Sequence, residues 1–196
     1  MHIQYCFPTA IFSTVDVSLA DQMLPVAKKL LATERLINKK FQYKTTFNPL
    51  QGVEKFKEVK PFVEFISKLG HEFMSKQGYQ LEFRDFSSLM FVSEMFKGDY
   101  HTTHAHPNCV LSGVFYLQTP EGSSPIVFYD PRPFRKVIRR QITNPTDTNQ
   151  DELVIHPQKG LLLMWESWLE HSVPNNFNTD DGRITLVFNL TRPVTS

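Results

Sequence analysis

Cysteine is scarce. Cys6 and Cys109 are the two thiols in 196 residues, too few for a disulfide framework, and this argues for a reducing, cytoplasmic setting. No run of 18 apolar residues occurs, so the sequence offers no membrane-spanning helix. The N-terminus does not join a basic stretch to an apolar one, so no signal peptide is expected. Charge of one sign is also missing. The net value of +1 provides no global field to gather nucleic acid or a membrane surface. There is no internal repeat and no low-complexity tract.

What is present is an ordinary globular composition, 41% hydrophobic and 21% charged, with seventeen phenylalanines that suggest an aromatic-rich core. The length suits one domain over 1–196. Within it, 1–78 read as an N-terminal strand and flanking helices, and 79–196 as a β core. Residues 3–12 alternate loosely, with Pro8 inside. Ser18-Leu-Ala-Asp21 resembles a capping start for a helix to about Glu34, which Pro25 would kink or shorten. Residues 38–58 lack a period and read as loop. Pro61 suits a first helical position, Phe62, Phe65, Ile66, Leu69 and Phe73 form one buried stripe, and Gly78 stops the helix. From Tyr79 the period becomes two. β-rich runs follow at 88–95, 110–118, 126–129, 135–142, 152–156, 160–165 and 183–190, separated by Pro, Gly, Asn and Asp. Many short strands of this kind predict a sandwich, barrel or jelly roll.

The densest chemistry lies in His101-Thr-Thr-His104-Ala-His106-Pro-Asn-Cys-Val, directly before the run Leu111-Ser-Gly-Val-Phe-Tyr-Leu117. His104 and His106 are i, i+2, so on extended backbone they point to one side and can close on one metal ion. The best third ligand is His171, in Trp168-Leu-Glu-His171-Ser-Val-Pro-Asn. Three imidazoles suit Zn²⁺ as well as iron, so spacing does not choose the metal. His101 is i−3 from His104 and falls out of phase on a strand.

This pattern resembles the 2-oxoglutarate- and Fe(II)-dependent oxygenases, over about residues 85–192 and more loosely at Phe7-Pro-Thr-Ala-Ile-Phe12. The closest likeness is to a branch with a His-x-His-Pro-Asn and Ser-Gly-x-x-Tyr-Leu signature. The resemblance implies a double-stranded β-helix (jelly roll), cupin-like, with the N-terminal helices packed outside it. It implies Fe(II), 2-oxoglutarate and O₂ as cofactor and co-substrates, and His104, His106 and His171 as metal ligands and catalytic residues. His106 stands where the family usually has a carboxylate. Arg183, in Gly182-Arg-Ile-Thr185, matches the basic residue that takes the 2-oxoglutarate tail, and Thr185 matches the Ser of its Arg-x-Ser motif.

Residue by residue, the same positions have blander roles. Arg183 at the head of an apolar strand would be partly buried and would need an anion, either a bound carboxylate or an internal partner such as Asp180, Asp181 or another acid. Asn108, Ser112 and Tyr116 are candidate co-substrate contacts whose default role is structural; Ser112 and Tyr116 share a strand face. Trp165 and Trp168 either shape a substrate mouth or pack in the core. Cys109 has no base placed beside it for nucleophilic work. The basic run Arg132, Arg135, Lys136, Arg139, Arg140 reads first as a solvated face.

The expected protein is therefore a dioxygenase, most simply a hydroxylase, of a small-molecule or peptidyl substrate that the sequence does not name, with no membrane or nucleic-acid partner. Two rivals stand beside it. One is a cupin-like, three-His metalloenzyme that does not use 2-oxoglutarate, with Arg183 in a structural ion pair. The other is a non-catalytic β-sandwich binding module.

Overall fold

The computed structural model describes residues 2, 6–80, 87–132, 137, 141–146, 148–178 and 181–191. Among these residues ten strands and two α-helices follow in chain order: β1 (Ile11–Val15), α1 (Val17–Leu31), β2 (Lys44–Thr45), α2 (Lys60–Lys76), β3 (Ser87–Met95), β4 (His101–His104), β5 (Leu111–Gln118), β6 (Ile126–Tyr129), β7 (Glu152–Ile155), β8 (Leu161–Glu166), β9 (His171–Val173) and β10 (Arg183–Thr191). They form a six-stranded sheet, β1-β8-β5-β10-β3-β2, and a four-stranded sheet, β4-β9-β6-β7. The fold is the expected jelly roll.

Alternation along the long strands splits the core in two. Ile184, Leu186, Phe188 and Leu190 of β10 face the helices, with Phe115 and Leu117 of β5 and Leu162 and Met164 of β8. Phe62 of α2 stacks on Phe115 at 5.2 Å and meets Phe188 edge-on at 6.1 Å. Val114 and Tyr116 of β5, Leu163 and Trp165 of β8 and Phe128 of β6 fill the space between the sheets. That inner face also receives Arg183 and Thr185, which share the parity of Val187 on β10. Gly113 sits where β5 passes β10 and β8. A Cβ there would run into Phe188 and stand 2.6 Å from the Leu163 carbonyl oxygen.

Several expectations need correction. The cap of α1 is Asp16, whose Oδ1 accepts from Leu19 N–H at 2.8 Å, so the helix starts before Ser18 and runs unbroken through Pro25. The extended segment at 3–12 becomes a strand only from Ile11, and residues 3–5 lie outside the described part. The expected loop 38–58 contains β2 and two short 3₁₀ turns. Residues 137, 141 and 142 of the expected strand 135–142 are not in a strand, and its remainder lies outside the described residues, as do 81–86. The second helix keeps its predicted stripe: Phe62, Ile66 and Phe73 are buried. Gly78 follows it at φ +85°, a left-handed turn that glycine adopts freely.

Candidate metal centre

The four-stranded sheet builds the site. β4 ends on His104, which stands directly opposite His171 at the start of β9, and His171 in turn stands opposite Phe128 of β6. Beyond β4 the chain is held to the turn before β9, because His106 N–H donates to the Ser167 carbonyl at 2.9 Å. These pairings bring one nitrogen from each of His104, His106 and His171 within 4.8 Å of one another. The expected third histidine is thus the one that converges with the pair, and the group contains no carboxylate.

The tautomers are set by the backbone. His104 Nδ1–H donates to the Thr102 carbonyl at 2.8 Å, and His171 Nδ1–H to the Leu169 carbonyl at 2.9 Å. In a neutral ring this leaves Nε2 with the lone pair. His106 Nε2 lies 3.3 Å from His171 Nε2, with the two rings 12° from parallel. Two nitrogens on adjacent positions of one ion, at about 2.0–2.1 Å each, lie about 3.0–3.5 Å apart. The donor set therefore fits a divalent cation.

Burial keeps the rings neutral. It pushes His171 down to about 3, assisted by the charge that His104 would carry and opposed by the Leu169 carbonyl. His106 falls to about 4, again by burial and then by His104. His104 is lowered by burial, against the Thr102 carbonyl. Trp165 meets His171 at 4.8 Å from within the core, whereas Trp168 is half exposed.

His101 corrects the parity argument. It is not among the converging group, but its ring lies on His104, centroids 3.9 Å apart. Between His101 and His104 the pairing of β4 with β9 shifts register: His101 opposes Val173 and His104 opposes His171, three steps against two. The extra residue is a β-bulge, and it turns both rings to the same side.

On the inner face of the larger sheet, Arg183 opposes Met95 on β3, and Thr185 lies between Ser93 on β3 and Tyr116 on β5. Arg183 is 2% exposed. Its Nη2 lies 3.4 Å from Tyr116 Oη and its Nη1 3.5 Å from Met95 Sδ, a poor acceptor, while its Nε has no hydrogen-bond partner among the described residues. Among the described residues no carboxylate pairs with it; Asp181 is exposed and Asp180 lies outside that set. Tyr43, entering from outside the jelly roll just before β2, is close enough for the guanidinium charge to act on its phenol, although burial wins and pushes it up to about 12.

The remaining candidates fall elsewhere. Ser112 shares the inner face with Tyr116 but is consumed locally, bonded to Ser167 Oγ at 2.7 Å and donating to Asn189 Oδ1 at 2.8 Å. Asn108 is exposed in a tight turn at φ +62°, a conformation asparagine tolerates better than most residues. Burial raises the Cys109 thiol, so it stays protonated. Arg132 is engaged by Asp130 through Nε at 2.9 Å and Nη2 at 2.7 Å, and the other four residues of the basic run lie outside the described part. Tyr43, Met95 and the buried Asn176 and Asn178 were not marked by any motif. The Asn-rich composition of 175–178 hinted at the two asparagines alone.

A family model described as "Putative 2OG-Fe(II) oxygenase" matches residues 90–189. Three solved structures share the fold. A prolyl-4-hydroxylase from Pseudomonas putida superposes with a TM-score of 0.64 at 13% identity, over 94% of this chain and 93% of that one. The non-heme alpha ketoglutarate dependent epimerase SnoN from nogalamycin biosynthesis gives 0.66 at 12%, over 94% and 77%. HygX from Streptomyces hygroscopicus, with nickel and 2-oxoglutarate bound, gives 0.59 at 12%, over 96% and 85%. No curated protein matches.

Proposed function

The chain belongs to the 2OG-Fe(II) oxygenase family, and we propose that it is a hydroxylase whose iron is held by His104, His106 and His171 and whose 2-oxoglutarate is anchored by Arg183. Family membership makes it an oxidoreductase that uses Fe(II), 2-oxoglutarate and O₂, and it sets aside both the metalloenzyme without 2-oxoglutarate and the non-catalytic module. When bound, that set supplies the oxidation: the co-substrate loses CO₂ to become succinate, and one oxygen atom is left for a C–H bond.

The chain's own residues bind and orient. Three neutral imidazoles leave the cation its full double charge, which favours a dianionic partner over a neutral one. Arg183 gives that partner a second anchor, and this is the observation that carries the reading: a buried guanidinium lacking an anion among the described residues, on the inner face of the larger sheet, while the histidines belong to the smaller one. Its fork suits a carboxylate in a dry pocket. Tyr116 adds a hydroxyl 3.4 Å from the guanidinium, and Thr185 stands opposite Tyr116. Burial raises the Tyr116 phenol, so it remains a donor.

A cleft of about 1120 Å³ is lined by Ile11, Pro131, Leu153, Phe128 and Leu169 among others, and by none of the three histidines or Arg183. It adjoins the metal centre only through Phe128, whose ring lies 5.9 Å from His171, and Leu169, whose carbonyl holds the His171 tautomer. Hydroxylation is supported at fold level by the prolyl-4-hydroxylase, which spans nearly the whole chain. The test is 2-oxoglutarate turnover to succinate by the iron-loaded protein. Turnover lost in His171→Ala and in Arg183→Ala supports the reading, and turnover unchanged in both rejects it. Among the described residues no helix is long and apolar enough to cross a membrane.

A further inference from the structure

We infer that His101 is a positioning residue for the metal site: its ring fixes the plane of His104, and Tyr43 fixes His101. The inference rests on the reading of His104 as a ligand. The Thr102 carbonyl selects the tautomer of His104 but leaves the ring free to pivot about that bond, and His104 is only half-buried. A second contact must choose the direction of Nε2. His101 supplies it, lying over the His104 ring at 3.9 Å and 32°. The edge of Tyr43 meets His101 at 5.6 Å and 61°, and Phe41 meets Tyr43 at 5.5 Å. Without the bulge in β4, residues three apart would face opposite ways, and His101 would leave the stack. His101 keeps its own nitrogens outside the converging group. Tyr43 also shares a buried cluster with Met95, the residue that Arg183 touches, so the brace adjoins the surroundings of the carboxylate anchor.

Such support changes affinity by a modest factor, since ring stacking of this kind is worth about three- to tenfold, whereas a lost ligand costs far more. The test is Co(II) titration of the apoprotein, read by its visible spectrum, beside the melting temperature of each apo variant. His104→Ala should lose tight binding. His101→Ala should bind about three- to tenfold more weakly with a changed cobalt spectrum, and His101→Phe should restore both, because the ring remains without a ligating nitrogen. Tyr43→Phe should match the parent, and Tyr43→Ala should fall partway. If His101→Ala does not fold, His101→Leu keeps the volume without the ring and should still bind weakly. Parental affinity and spectrum in His101→Ala, or in His101→Leu, overturns the inference. So does a loss as large as that of His104→Ala that phenylalanine fails to rescue, because His101 would then be a ligand. Parental affinity in His104→Ala overturns the metal-site reading itself, whatever His101 does.

Discussion

His106 Nε2 and His171 Nε2 lie 3.3 Å apart on rings 12° from parallel. The His171 nitrogen carries a lone pair, because its Nδ1–H is committed to Leu169. That lone pair faces a second imidazole nitrogen: as Nε2–H, His106 donates to it, and as the other tautomer it offers a second lone pair that a cation shared with His171 satisfies. His171→Ala should therefore abolish tight Fe(II) or Co(II) binding. His106→Ala should weaken it strongly, and His106→Asp should preserve binding by supplying the carboxylate usual in this family. Isothermal titration measures all three; unchanged cobalt affinity in His171→Ala would sink the site.

The depressed histidines give a pH dependence with a definite sign. In the unfolded chain these rings titrate near 6.5. In the folded apoprotein His106 and His171 stay neutral down to about 4 and 3. Between those limits the unfolded state binds more protons, so stability falls as pH falls from about 6.5 toward 4. The melting temperature of the apoprotein should drop over that window, and the drop should be shallower in apo His171→Ala. Identical slopes would show that the buried ring does not titrate as described. Proton release on cobalt binding is a second readout. At pH 6 an ordinary histidine is roughly three-quarters protonated, whereas His106 and His171 have almost nothing to release.

The β core was legible because strands buried on both faces read as short apolar, β-rich runs between turn residues, and the strands at 126–129 and 183–190 stand where those runs lie. The convergence of His104 with His171 was legible because each histidine adjoins such a run. His101 was not, because parity assumes an unbroken strand and no residue near 102–103 announces the bulge. The α1 cap was missed since Asp16 and Ser18 are both good caps, and the choice between them came from packing. Tyr43 joins the site from a stretch without a period, about fifty residues before Met95, so only tertiary structure could reveal it.

Gly113 tests the packing that carries the site. It is pressed between β10 and β8, and a Cβ would meet the Phe188 ring and the Leu163 carbonyl at 2.6 Å. The ring can shift, but the carbonyl belongs to a paired strand. Gly113→Ala should cost about 1–3 kcal/mol, the usual penalty of overpacking. Chemical denaturation measures it. Stability within about 0.5 kcal/mol of the parent would mean that β8 moves freely.

Arg183 separates anchoring from structure most sharply. A charge-assisted bond to a carboxylate is worth roughly 1.5–3 kcal/mol, so Arg183→Ala should weaken 2-oxoglutarate binding by about one to two orders of magnitude. Arg183→Lys should recover part of that, as a charge without the fork. Both are measurable on the nickel-loaded protein, where no turnover intervenes, and cobalt or nickel affinity itself should survive. The apoprotein gives the opposite sign. Arg183 is buried with an unpartnered Nε, a thioether at 3.5 Å and a phenol at 3.4 Å, and no acid among the described residues. A buried charge without its counter-ion costs stability. Arg183→Met keeps most of the volume and removes the charge, so it should raise the stability of the apoprotein by about 1–3 kcal/mol while 2-oxoglutarate no longer adds to it. A structural ion pair would behave the other way, losing about 3–5 kcal/mol when one partner is removed. A clear fall in apo stability for Arg183→Met, with 2-oxoglutarate affinity intact, would return Arg183 to the scaffold and leave the co-substrate without its anchor.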